Sequence, residues 1–328
     1  MEPLNVLVVG AGTMARVHAR EYASLPGARV VGFVDPVVAT PPIPGVPLYR
    51  ALDDVSEAAY DIVDVCAPTP FHRRYVEEGA RAKKAILCEK PIARTLEDAR
   101  AMMTACEGAG VRWTVGHCVR FFPAYVAARD AVRRGDIGEV AVARTFRGGG
   151  FPQGWNNWYA ARSASGGTLV DLMIHDIDFL RWTLGPVERV RAVSTARERG
   201  GLDLSLATLR FRSGTIAHLE ASWAHRGFAT RFELAGTTGL LAYDSAEAAA
   251  LTMTTLQPDA PGVAVPASVG RSPYGLELED FIQALTEDRP FRVTPEDAYD
   301  ALAVALAAET SANTGRAVTL GMEGGDPE

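Results

Sequence analysis

The sequence predicts an α/β fold in two parts: an N-terminal doubly wound parallel sheet, then an α/β domain with a large, mostly antiparallel open sheet. Three observations carry this reading. Up to about Val115, short apolar runs alternate with helical periods in the β-α-β order of a parallel sheet covered on both faces. Beyond "RFFPAYVAARDAVRRGDIGEV" the texture changes to strand-like segments, several joined by short turns such as Ser213-Gly214, as antiparallel pairing requires. A chain of 328 residues also exceeds a typical single core, so two domains are expected, residues 1–118 and 119–328.

In the first part, "NVLVVGAG", "ARVVGFVD", "DIVDVCAP", "KAILCEKP" and "VRWTVGH" read as strands. Between them, "MARVHAREYASL", "HRRYVEEGARA" and "LEDARAMMTACEGAG" read as helices. Pro36 to Arg50 is too rich in proline for a crossover helix and reads as a loop. In the second part, "EVAVARTFRG", "ERVRAVSTAR", "LSLATLRFR", "GTIAHLEASW" and "TRFELAG" read as strands, interrupted by a helix from Gly166 to Trp182. "LELEDFIQALTE" and "TPEDAYDALAVALAAETSANTG" read as late helices, the second with Thr294 as N-cap, Pro295 in the first turn and Gly315 as stop.

Composition narrows the function classes. Hydrophobic content of 48% with 22% charged residues fits a soluble globular protein, and a net charge of −7 argues against nucleic acid or an anionic membrane as partner. The N-terminus lacks a basic region and a small-residue cleavage site, and its apolar run is too short to cross a bilayer. Cys66, Cys88, Cys106 and Cys118 show no C-x-x-C spacing and read as buried free thiols of a cytoplasmic protein. Lysine is scarce, so Lys83, Lys84 and Lys90 each draw attention.

"VLVVGAGTMA" sets Gly10, Gly12 and Ala15 in a G-x-G-x-x-A pattern between a strand and a helix, with Thr13 and Met14 in the turn. Such glycines permit a tight turn and close backbone approach, and the helix N-terminus stabilises a pyrophosphate. Asp35 ends the next strand at the spacing of a ribose-binding carboxylate. It would repel a 2′-phosphate, and no arginine follows it closely, so NAD is favoured over NADP. Lys90 in "CEKPIA" precedes Pro91, which biases it to a strand end, where the ligand crevice of such sheets lies. A surface lysine in a loop has the same spacing.

"GGTLVDLMIHDIDFLRW" is a mostly apolar helix carrying Asp171, His175 and Asp178, which fall within about 60° of one another on an ideal helix. So narrow a polar strip suits a buried helix facing a ligand rather than bulk water. Three readings compete: a hydrogen-bonded core histidine, a metal site, and a proton-transfer site with His175 as general base. No third histidine motif or cysteine cluster stands out, so no metal is assigned. Just before this helix, Asn157 and Trp158 in "QGWNNWYAARSASGG" offer the amide and aromatic face that suit a polyhydroxylated ligand, although a packed surface loop fits them equally. His18 and His72 fall in helices and read equally as helix-terminal polar residues.

With "APTPFHRRYVEEGARAKKAILCEKPIA", "VGHCVRFFPAY" and "TSANTGRAV", these motifs resemble the Gfo/Idh/MocA family of nicotinamide-dependent oxidoreductases, which act largely on sugars and cyclitols. The E-K-P element followed by D-x-x-x-H is the specific part. The resemblance implies a Rossmann domain joined to an α/β domain whose open sheet mediates a homodimer or homotetramer. It implies that Lys90, Asp171 and His175 are catalytic, that Glu89 and Lys90 lie by the nicotinamide, and that Ala67, Pro68, Thr69 and His72 lie along the cofactor. Arg120, Asn157 and Trp158 join the catalytic trio as substrate-binding residues. His175 would take a hydroxyl proton while the carbon yields a hydride to NAD, and Lys90 would hold the same oxygen.

The chain departs from the family pattern in three places. Ala67-Pro68-Thr69 replaces T-P-N, Lys83 replaces a glycine and predicts loss of a left-handed helix cap, and the proline-rich stretch after Asp35 replaces a helix. Two other activities share the motifs: an NAD-binding regulator or scaffold without turnover, and a redox-neutral NAD-dependent glycosidase.

Overall fold

The computed structural model describes residues 2–197, 202–247, 251–255 and 271–321. The chain divides into two compact units, Met1–Phe121 with Gly154–Trp158 and Gly270–Tyr299, and Phe122–Gln153 with Tyr159–Val269 and Asp300–Glu328. The single boundary after residue 118 drawn from sequence leaves out the late segment that joins the first unit.

The first unit alternates β1 (Leu4–Val9), α1 (Thr13–Tyr22), β2 (Ala28–Val34), β3 (Leu48–Tyr49), β4 (Ile62–Val65), α2 (His72–Arg81), β5 (Ala85–Glu89), α3 (Leu96–Ala109) and β6 (Trp113–Gly116). The six strands pair in parallel in the order β3-β2-β1-β4-β5-β6. Strand order reverses between β1 and β4, and ligands of such sheets bind outside the strand C-termini at that point. Val6, Val8, Phe33, Ile62 and Leu87 are buried in one core with Ala15, Ala19 and Tyr22 of α1. Residues 36–47 contain no helix, as the prolines dictate, but Leu48–Tyr49, within the stretch read as a loop, pairs with β2 as the short edge strand β3.

Lys83 corrects one expectation. It sits at φ 54 just beyond α2, so the left-handed cap is kept without its glycine, and the Lys84 N–H reaches back to the Gly79 carbonyl at 3.1 Å. A side chain in that conformation costs about 1 kcal/mol. Lys83→Gly is therefore expected to raise stability by about that amount in denaturant unfolding; an unchanged or lower midpoint would count against it.

The second unit begins with α4 (Pro123–Arg134), β7 (Val140–Gly150), α5 (Arg162–Ser165) and α6 (Ile174–Leu184). It continues through β8 (Val187–Arg197), β9 (Leu202–Phe211), β10 (Ile216–Ser222), β11 (Ala224–Gly236), β12 (Gly239–Asp244) and β13 (Leu251–Thr255). The chain closes with α7 (Pro273–Glu287), α8 (Pro295–Thr314) and β14 (Val318–Thr319). The eight-stranded sheet runs β13-β12-β11-β7-β10-β9-β8-β14, antiparallel except for the β7–β10 pair. Alternation sorts its faces: Ala192, Ala207, Leu209, Ala217 and Leu219 are buried, whereas Val193, Leu206 and Ile216 on the other face are exposed.

α7 opens on Ser272, whose side chain accepts the Gly275 N–H, and sends Leu278, Phe281 and Ile282 into the core of the first unit. α8 starts with a reciprocal cap, Asp297 N–H to Thr294 Oγ1 and Thr294 N–H to Asp297 Oδ2. The four cysteines are free. No helix among the described residues is long and apolar enough to cross a membrane.

Candidate active site

At Gly10, directly after β1, nothing larger fits. A Cβ at Gly10, which has φ +104, would stand 2.8 Å from the Cys66 carbonyl oxygen. Gly12 is the N-cap of α1, makes no side-chain cap, and has no heavy atom within 4 Å of where its Cβ would be. Open space before uncapped helix N–H groups is what a pyrophosphate needs. Thr13 and Met14 form the first turn of that helix.

Asp35 follows β2 and is tied to this turn. Its Oδ2 accepts the Ala11 N–H at 2.9 Å, and its Oδ1 accepts the Val37 and Val38 N–H groups at 2.8 and 2.9 Å. Arg50 closes the loop by donating to the carbonyls of Asp35 and Val38. The carboxylate is thus fixed at the end of β2, with lone pairs left for a ribose diol. These features fit a dinucleotide.

After β4, Ala67, Pro68 and Thr69 lead into α2. His72 is buried and faces the Ala67 carbonyl at 2.9 Å through Nε2 and the Pro91 carbonyl at 3.0 Å through Nδ1. Burial lowers its proton affinity, although the carbonyls oppose the shift. Its ring nitrogens face the protein's own backbone, so the side chain clamps two strand-end loops together. Those loops carry Ala67 and Lys90. Lys90 directly follows β5, and its N–H is 3.1 Å from Glu89 Oε2. Arg120 is buried, and its Nη1 donates to Asp297 at 2.8 Å, which braces the first unit. Asn157 is exposed and left-handed at φ 52, and Trp158 beside it is half-buried.

In the second unit, the segment carrying Asp171 and His175 departs from the ideal helix. Thr168–Leu172 forms a π-turn, closed by Met173 N–H to the Thr168 carbonyl at 2.8 Å, and α6 follows. The 100° projection therefore holds only from Ile174 onward. Such widened turns recur at functional sites. Asp171 is buried and His175 half-buried. Gly166 and Gly167 have φ +74 and +63, and a Cβ at Gly166 would stand 2.3 Å from Val170.

Two anchors of this segment went unread in the sequence. Asp203 of β9 accepts from Thr168 N–H at 3.2 Å, Thr168 Oγ1 at 3.0 Å and Arg162 at 2.7 Å, holding the start of the π-turn. Arg147 of β7 grips Asp176 with two bonds of 2.8 and 3.1 Å, and both side chains are buried. Strand parity was the available signal, since Arg147 takes an inward position after Ala143 and Thr145.

Residues 4–117 match the family described as "Oxidoreductase family, NAD-binding Rossmann fold", and residues 125–242 match the "GFO/IDH/MocA C-terminal domain". The chain is 31% identical to a 1,5-anhydro-D-fructose reductase of Ensifer adhaerens, covering 95% of this chain and 97% of that one. It is equally 31% identical to an inositol 2-dehydrogenase of Rhizobium meliloti (strain 1021), covering 95% and 98%. A levoglucosan dehydrogenase solved with NADH and L-sorbose has the same fold, with a TM-score of 0.86 at 23% identity over 98% of this chain and all of that one. On these grounds the chain belongs to the GFO/IDH/MocA family of oxidoreductases, with an NAD-binding Rossmann domain at its N-terminus.

Proposed function

We propose that this protein is an NAD-dependent oxidoreductase that interconverts a hydroxyl and a keto group on a sugar, a sugar derivative or a cyclitol. The observation that carries it is the placement of Lys90 at the C-terminal end of β5, in the same parallel sheet whose glycine turn and Asp35 fit a dinucleotide. Relatives named for reducing 1,5-anhydro-D-fructose and for oxidising inositol support the substrate class.

Bound NAD supplies the hydride acceptor. In the oxidative direction, the His175 imidazole takes the hydroxyl proton, and the Lys90 ammonium donates to the same oxygen and offsets its developing charge. Asp171 helps to fix the geometry of the substrate. Asn157 and Trp158 give the sugar an amide and an aromatic face. The test is an absorbance screen of myo-inositol, scyllo-inositol and levoglucosan with NAD or NADP, and of 1,5-anhydro-D-fructose with the reduced cofactors. Turnover is expected with a higher kcat/KM for NAD, because the fixed Asp35 carboxylate repels a 2′-phosphate. A clear preference for NADP would sink that assignment.

The protein works as a homodimer or homotetramer through the face of the large sheet that exposes Val193, Leu206 and Ile216. Val193 and Leu206 lie directly opposite each other on β8 and β9, so the patch is continuous there. Sedimentation at micromolar concentration should show no monomer; a monomer alone would refute this. Its free cysteines fit a reducing cytoplasm.

A further inference from the structure

α1 carries an ionisable side chain into the core of the first unit. His18 is fully buried, and each ring nitrogen meets a carboxylate. Nδ1 lies 2.8 Å from Asp64 Oδ2 on β4, and Nε2 lies 3.1 Å from Glu89 Oε1 at the end of β5. The second contact is an ion pair off the line of a good hydrogen bond. Cys66 Sγ stands 3.4 Å from Nδ1, and Tyr22 and Glu277 of α7 complete the surrounding group of ionisable residues.

Two carboxylates on one imidazole favour the doubly protonated ring. Burial alone would lower its proton affinity, but Asp64 and then Cys66 outweigh burial and raise His18 well above the usual histidine range. Glu89 is held below its ordinary value despite burial, through His18 and then Lys90. Glu277 is pushed well up by burial and then by Glu89. His18, Asp64 and Cys66 could in principle share a metal ion. However, ligands on one tetrahedral zinc stand about 3.4 Å apart, and the 2.8 Å between Nδ1 and Asp64 is a hydrogen bond instead.

The other oxygen of Glu89 faces the Lys90 N–H at 3.1 Å. Contacts therefore run from the helix that starts at the glycine turn, through His18 and Glu89, to the backbone of Lys90. We propose that His18 is a positioning residue for the reaction: as an imidazolium between Asp64 and Glu89, it fixes the Glu89 carboxylate and with it the backbone that carries Lys90. This rests on the role assigned to Lys90 above. The sequence motif around the glycine turn left His18 as an ordinary helical residue because nothing in it announces the two carboxylates, which arrive from other strands.

The test compares the full-length wild type with His18→Gln, Glu89→Gln and the double variant, each saturated with NADH. Glutamine at 18 carries no charge, and Glu89→Gln keeps an acceptor for Lys90 but loses the charge His18 holds. Two readouts need no substrate: amide hydrogen exchange at Lys90, and acetylation of Lys90 by trace acetic anhydride, with Lys83 and Lys84, the other lysines of the chain, as references. In each single variant, exchange at Lys90 should rise about tenfold, as for a weakened bond to a charged acceptor, and Lys90 acetylation should change relative to Lys83. NADH affinity should stay nearly unchanged in His18→Gln, and the double variant should add little. With a polyol that turns over, kcat should fall about 10²-fold while KM for NAD holds. Wild-type exchange and acetylation at Lys90 in folded His18→Gln would overturn the proposal, as would exchange rising equally through β1 and β4. If His18→Gln does not fold, unchanged Lys90 exchange in Glu89→Gln overturns it from the other end. Failure of every polyol to react, with the Lys90 changes present, would fault the oxidoreductase reading and leave the link intact.

Discussion

His175→Ala should lower kcat by about 10²–10⁴-fold and leave NADH affinity nearly intact, because it removes the proposed general base without touching the glycine turn or Asp35. Lys90→Ala should produce a loss of the same order, since the proposal gives the ammonium the same hydroxyl oxygen. Groups that act as a unit are not additive, so the double variant should be little worse than the more damaged single. His175→Ala should also flatten the acidic limb of the pH–rate profile, as the titrating base is gone. Near-normal kcat with an unchanged profile would make the helix residues structural and the proposed chemistry wrong.

The second large effect concerns stability. Arg147 and Asp176 pair with side chains 3% and 1% exposed, so removing one partner strands a buried charge. Arg147→Met should therefore destabilise the protein by about 3–5 kcal/mol in denaturant unfolding. Replacing both, Arg147→Met with Asp176→Leu, should recover most of that loss, because well-packed apolar groups substitute for buried ion pairs at little cost. An Arg147→Met midpoint equal to wild type would show that the pair does not hold α6. A double variant as unstable as the single would show that its geometry, rather than its charge balance, is what matters.

The parallel sheet was legible because its strands are continuous apolar runs and its helices keep one period each. Glycine, proline and capping signals placed their ends, down to Thr294 and Gly315. The second sheet was read in part. β12 and β13 escaped because Gly239–Asp244 and Leu251–Thr255 are short and lack a clean alternation, and β14 is only a two-residue pairing. The π-turn escaped because an inserted residue leaves no mark on a helical projection. Sequence spacing singles out residues in local motifs, such as Gly10, Asp35, Lys90, Asp171 and His175. It misses those whose partner comes from a distant strand: His18 with Asp64 and Glu89, Thr168 with Asp203, Arg147 with Asp176. The partners of Arg120 and His72, Asp297 and the Pro91 carbonyl, likewise lie far along the chain and leave no local sequence signal.

The central claim is net hydride transfer between a free polyol and NAD, and it can be followed atom by atom. The wild-type protein is incubated with NAD and myo-inositol carrying deuterium on its ring carbons, alongside deuterated forms of the other screened polyols, and the cofactor is recovered for mass analysis. The proposed function predicts that NADH accumulates with one deuterium at the nicotinamide C4, in step with ketone product. NADH binding without any labelled reduced cofactor from any of the polyols, or a glycoside cleaved with no net NADH, would contradict it.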